Sequence, residues 1–140
     1  MAAARARFQS SASNLVAGDT NGRDDIFIKN LVTYVTTLVS TNAAGVQGSD
    51  HSFGATFSAD GGKILFASAS TNLVNFDTHG QSSLFVKNLQ TGEVTLVSTN
   101  AAGELANGTS WSANFSPDGT KILFTSLASN LVTGDTNGRA

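Results

Sequence analysis

A chain of 140 residues with 40% hydrophobic and only 13% charged residues is long enough for one domain and belongs to a folded protein rather than a disordered one. A net charge of −2 with its eight basic residues scattered offers no footprint for nucleic acid and no polybasic membrane patch. The absence of cysteine excludes disulfides, thiolate zinc sites and cysteine nucleophiles.

Ser, Thr, Asn and Gly fill positions that Lys and Glu usually occupy, which suits strands joined by polar turns and argues against long surface helices. No apolar run approaches the roughly 18 residues of a membrane helix, so membrane insertion is not expected. The start, Met1 to Arg7, lacks the apolar stretch of a secretion signal.

In chain order, a degenerate strand is expected over 5–10, then a long polar loop, then strands over 25–30 and 34–40. A second set follows over 53–58, 63–69, 83–89 and 93–98, and a third begins over 111–116 and 121–126. The turns are the clearest signal. Phe57-Ser58-Ala59-Asp60-Gly61-Gly62-Lys63 and Phe115-Ser116-Pro117-Asp118-Gly119-Thr120-Lys121 each join two apolar runs, with Gly61 and Gly119 suited to the left-handed position of a bulged hairpin. Gln90-Thr91-Gly92-Glu93 closes a second hairpin, and Tyr34 stands where Gly92 would be expected in the earlier one.

These sets are copies of one unit. Asn-Leu-Val stands at 14–16, 72–74 and 130–132, a period of 58 residues, and the same offset carries Lys-Asn-Leu from 29 to 87, Ser-Thr-Asn-Ala-Ala-Gly from 40 to 98 and Lys-Ile-Leu-Phe from 63 to 121. Ile26-Phe27-Ile28, Ile64-Leu65-Phe66, Leu84-Phe85-Val86 and Ile122-Leu123-Phe124 are apolar at consecutive positions. Side chains alternate faces along a strand, so both faces of each small sheet must be covered, and no helix is available to do it. Four-stranded antiparallel sheets packed on both faces by their own copies describe the blades of a β-propeller. The expected fold class is therefore all-β: a partial propeller over 1–140, with an incomplete blade over 1–51, a complete blade over 52–100 and half a blade over 101–140.

The residues 115–124, Phe-Ser-Pro-Asp-Gly-Thr-Lys-Ile-Leu-Phe, resemble the TolB-like, WD-repeat-like β-propeller family, whose blades open with this turn and strand. The longer Ser-Asn-Leu-Val-x-Gly-Asp-Thr-Asn-Gly at 13–22 and 129–138 resembles a bacterial subgroup of exported, often calcium-associated proteins. The resemblance implies a periplasmic or extracellular protein. It says little about activity, because propellers of this kind serve as protein-binding domains, lectin-like modules and the gating domains of peptidases.

The long loop of the first copy, Asp19-Thr20-Asn21-Gly22-Arg23-Asp24-Asp25, holds the metal candidate: Asp19, Asn21, Asp24 and Asp25 offer oxygen ligands for Ca²⁺ around a Gly turn. The spacing departs from an EF-hand, since Arg23 takes a ligand place and no Glu follows at the twelfth position. The second copy, Asp77-Thr78-His79-Gly80-Gln81-Ser82-Ser83, has lost most of the acidic oxygens, so capping of an Asx-type turn by Asp19, Asp77 and Asp135 is the favoured alternative. Asp24 and Asp25 are adjacent on a strand and should point to opposite faces. His51 and His79 occupy different places in the repeat and read as loop residues, and Trp111 aligns with Phe53 as a packing aromatic.

No Gly-x-Ser-x-Gly elbow and no recurrent His or Asp supports a triad, so no catalysis and no cofactor beyond Ca²⁺ are expected. The expected role is a scaffold for protein or carbohydrate binding, with an accessory propeller of a hydrolase or peptidase and a calcium-dependent adhesive module as alternatives. The copies are cut out of phase with the blades. Two explanations are open for that: a piece of a larger propeller of about six to eight blades, or identical chains that close a ring.

Overall fold

The computed structural model describes residues 4–140; Met1 to Ala3, part of the segment read above for a secretion signal, lie outside them. Nine strands and no helix form among the described residues: β1 (Arg5–Ser10), β2 (Asp25–Asn30), β3 (Thr36–Leu38), β4 (Ser52–Phe57), β5 (Lys63–Ser68), β6 (Ser83–Asn88), β7 (Val94–Leu96), β8 (Ser110–Phe115) and β9 (Ile122–Ser126). They make three antiparallel sheets in sequence order, β1-β2-β3, β4-β5-β6-β7 and β8-β9. The last strand of each hairpin pair is shorter than expected, three residues at β3 and β7.

The turns between strands are built by their own side chains. In the β4–β5 hairpin, Gly61 adopts φ 70°, the Asp60 carboxylate accepts the Gly62 N–H at 2.8 Å, and the Ser58 hydroxyl accepts the Lys63 N–H at 2.9 Å. Asp118 and Ser116 repeat this between β8 and β9. In the β6–β7 hairpin the Asn88 side chain accepts the N–H groups of Gln90 and Thr91, as Asn30 does for Val32 and Thr33 between β2 and β3. Tyr34 is held at φ 62° in the place that Gly92 fills at φ 80°.

The β4–β5 and β8–β9 ladders share one irregularity, a shift of register between Phe53 and Thr56 and between Trp111 and Asn114. Gly54 at φ 65° and Ser112 at φ 51° sit inside it. The bulge has a packing consequence, because it turns Phe53 onto the opposite face from Ala55 and Phe57.

The four-stranded sheet is the core. Ile64, Phe66 and Phe85 face the first sheet and pack with Ile26, Ile28 and Val39. Leu65, Ala67 and Leu84 face the third and pack with Ala113, Phe115, Ile122 and Phe124. The consecutive apolar residues are thus split between two cores, as strand alternation requires. Phe66 and Phe85 stack at 5.9 Å between centroids, and Arg5 and Arg7 of β1 reach across to the Phe57 ring at 5.3 and 6.0 Å.

Successive sheets are joined in the same way. Ser52 N–H donates to the Asp24 carbonyl at 2.8 Å between the first and second sheets, and Ser110 N–H donates to the Ser82 carbonyl at 2.9 Å between the second and third. Both members of these two bonds are related by the 58-residue offset. The third sheet has two strands, and Leu123 is 78% exposed where its counterpart Leu65 is 0% exposed.

Candidate functional site

The repeated motifs resolve into loop fastenings. The Asn72 side chain accepts the Ser49 N–H at 2.9 Å and donates to the Gln47 carbonyl at 2.8 Å, and Asn130 makes the same pair of bonds with Asn107 and Leu105. The Asn42 side-chain oxygen Oδ1 accepts the N–H groups of Ala44 and Val46, matched by Asn100 Oδ1 with Ala102 and Glu104. Asn42, Asn72 and Asn75 line one uncharged cleft with Leu73, Val74 and Val94. Two of its three amides are therefore already engaged by the backbone.

The acidic residues of the 11–24 loop and of the first position of β2 behave differently from one another. Asp25, 0% exposed at the start of β2, accepts the Ser40 hydroxyl at 2.5 Å and the Gln47 amide at 3.2 Å. The same Gln47 nitrogen donates to Asp19 at 2.9 Å, while the Gln47 oxygen accepts the Thr20 N–H at 3.1 Å. Asp19 is 6% exposed, and its second carboxylate oxygen, Oδ2, is buried with no hydrogen-bond partner among the described residues. Burial pushes the Asp25 carboxyl above its ordinary range and the nearby Asp19 charge adds to that, against the hydrogen bonds from Ser40, Asn21 and Gln47.

Asp24 points the other way, as alternation predicts. Its carboxylate accepts the Gln9 amide at 3.1 Å and lies 3.6 Å from His51, and its own N–H donates to His51 Nδ1 at 3.0 Å. Arg23 lies 3.5 Å from Asp50. Of the four candidate ligands the fold thus brings Asp19 and Asp25 together, keeps Asn21 beside them, and separates Asp24.

Asp19 does not cap the loop turn; the cap lies two residues further on, at Asn21, whose side chain accepts the Arg23 N–H at 2.8 Å. Asn137 repeats this with Arg139 at 2.9 Å. In the second copy Asp77 accepts the His79 N–H at 2.8 Å, with its side chain 70% exposed, and Thr78 is buried instead. Asp77 therefore shows what the capping role looks like, and Asp19 departs from it.

Lys87 is the buried cation. Its ammonium donates to the Thr41 carbonyl at 3.1 Å and to the Thr41 hydroxyl, tying β6 to the loop after β3, and burial lowers its pKa. Ser40 and Gln47 were missed as partners of the acidic loop. The available signal was the contrast between copies, since Gln47 and Asp25 become Leu105 and Ser83 at the same offset.

Among the described residues no three His, Asp or Glu side chains gather as a metal cage, and no helix is long and apolar enough to cross a membrane. Comparison with known protein families finds no matching family model, and comparison with curated proteins finds no match.

Proposed function

We propose that the chain is a segment of a β-propeller that acts as a non-catalytic scaffold, presenting its loops to a protein or carbohydrate partner in a bacterial envelope or secreted protein. The observation that carries the propeller is the repeated join between sheets. The same backbone bond links sheet one to two and two to three, which is the recurring junction that a ring of equivalent blades requires and so supports the reading. The burial of both faces of the middle sheet supports it as well. Location and source rest on the resemblance of residues 13–22, 115–124 and 129–138 to TolB-like repeats.

A scaffold role fits the chemistry of the loops. Their asparagines and serines are spent on holding backbone, and the cleft beside Asn75 offers an uncharged, half-apolar surface suited to a neutral partner such as a glycan or an extended peptide. The test is an array of glycans and peptides probed with the purified chain, alongside turnover assays with peptide and ester substrates. Binding that Asn75→Lys removes is expected. Turnover that a point substitution within the chain abolishes would overturn the reading.

A further inference from the structure

We propose that Asp19 and Asp25 form a binding site for a single divalent cation of the calcium type. The first support is geometric. One Gln47 nitrogen, at 2.9 Å from Asp19 and 3.2 Å from Asp25, brings both buried carboxylates to the same point. The nearby basic residues are engaged elsewhere, Arg23 with Asp50 and Lys87 with Thr41. The donors that meet the two carboxylates, the Gln47 amide NH2 and the Ser40 hydroxyl, are all neutral, a poor match for two buried negative charges.

The second support is independent of the clustering. Asp19 is only 6% exposed, and its Oδ2 is buried with no hydrogen-bond partner among the described residues. A buried carboxylate oxygen is costly unless something positive meets it.

The third support comes from the second copy, which serves as an internal control. There the fold is built with Ser83 in place of Asp25 and Leu105 in place of Gln47, and Asp77 swings out to solvent while Thr78 turns in. The sheet therefore does not need the acidic pair. Two of the three members, Asp25 and Gln47, are replaced together between the copies, and the third, kept as Asp77, then turns out to solvent.

The donors are all oxygens, which selects a hard cation over zinc or copper. They come from a loop and from the start of a strand, an irregular arrangement of the kind that Ca²⁺ accepts and Mg²⁺ does not. Asn21 and Asp24 are not ligands, since the Asn21 oxygen holds the Arg23 N–H and Asp24 faces His51. The site stands apart from the propeller reading, because it needs only the first sheet and its loops.

The test uses the whole chain at neutral pH, titrated with calcium chloride by calorimetry and melted with and without about 5 mM calcium, a concentration above the range of extracellular calcium modules. Expected are saturable one-to-one heat and a rise in Tm of about 5 °C, with magnesium giving a smaller rise. Asp19→Asn should lose both. The double variant Asp25→Ser with Gln47→Leu, which installs the second copy's residues, should remain folded and also lose both. Absence of saturable heat in the native chain overturns the proposal, as does calcium binding that survives either variant. A melt insensitive to calcium but raised by acid overturns it too, since a proton would then be what meets the pair.

Discussion

Leu65 and Leu123 are the same residue of the repeat in two environments, and truncating each to alanine separates the contribution of the neighbouring sheet from that of the strand itself. Leu65 is fully buried on β5 among Leu84, Ala113, Phe53 and Phe115. Buried Leu→Ala substitutions cost about 2–5 kcal/mol, the spread reflecting how far the surroundings relax. The wall opposite Leu65 is the two-stranded third sheet, which can shift inward, so the lower half of that range, about 2–3 kcal/mol, is expected. Leu123 has 78% of its surface in water, and its truncation should fall within about 0.5 kcal/mol of zero.

The assay is urea unfolding followed by far-ultraviolet circular dichroism, with light scattering to fix the oligomeric state at each concentration. The slope with denaturant should stay constant across the variants, so that midpoints report stability alone. If the chain is monomeric and Leu123→Ala costs as much as Leu65→Ala, the packing described for the third sheet is wrong. A Leu65→Ala cost below about 1 kcal/mol would equally refute burial of the strand on both faces. Should copies assemble over the open sheet, the Leu123 cost will grow with protein concentration while the Leu65 cost stays fixed.

Tyr34→Gly should stabilise the chain by about 1 kcal/mol, because a 72% exposed tyrosine is held at φ 62° where the second copy has glycine; an unchanged or lowered urea midpoint would refute the strain. Asn72→Ala should cost about 1–3 kcal/mol by releasing the Ser49 N–H and the Gln47 carbonyl, whereas Asn14→Ala, at the exposed counterpart, should be close to neutral in the same melt. The Asp118 carboxyl is held down at about 2 by the Ser116 hydroxyl and the Thr120 N–H and hydroxyl, against an ordinary value of 3.8. A lowered folded pKa stabilises above the unfolded value and is lost as pH falls through the folded one. The stability difference between the native chain and Asp118→Ala should therefore be full above pH 3.8 and shrink towards pH 2, and a difference independent of pH would refute the turn's charge-assisted bonds.

Most of the strand order was legible because two kinds of local information agreed. Turn residues fixed the ends of β4, β5, β8 and β9, and consecutive apolar residues such as Ile64-Leu65-Phe66 required cover on both faces. The bulge at Gly54 and Ser112 was not legible. A serine carries no signal that its φ will be positive, and Ser112 stands where the second copy has Gly54. β3 and β7 proved shorter than expected because the Val39 and Val97 carbonyls accept the N–H groups of Thr41 and Thr99, two residues on, which turns the chain out of the ladder.

The acidic loop shows where local reasoning gave way to tertiary structure. Alternation correctly sent Asp24 and Asp25 to opposite sides, since that depends only on neighbouring backbone geometry. Which acid would be buried depended instead on Gln47, 28 residues beyond Asp19 and 22 beyond Asp25, arriving from the loop after β3. Spacing within a loop reports which oxygens can share a turn; it does not report which of them another segment will enclose. Asp77 and Asp19 share the same local motif, yet one caps a turn in solvent and the other is enclosed, because Leu105 has no group to hold a carboxylate where Gln47 has one. The repeat therefore sets the frame of the sheet, and the paired exchange of Gln47 for Leu105 and Asp25 for Ser83 goes with the inward or outward turn of the acidic loop.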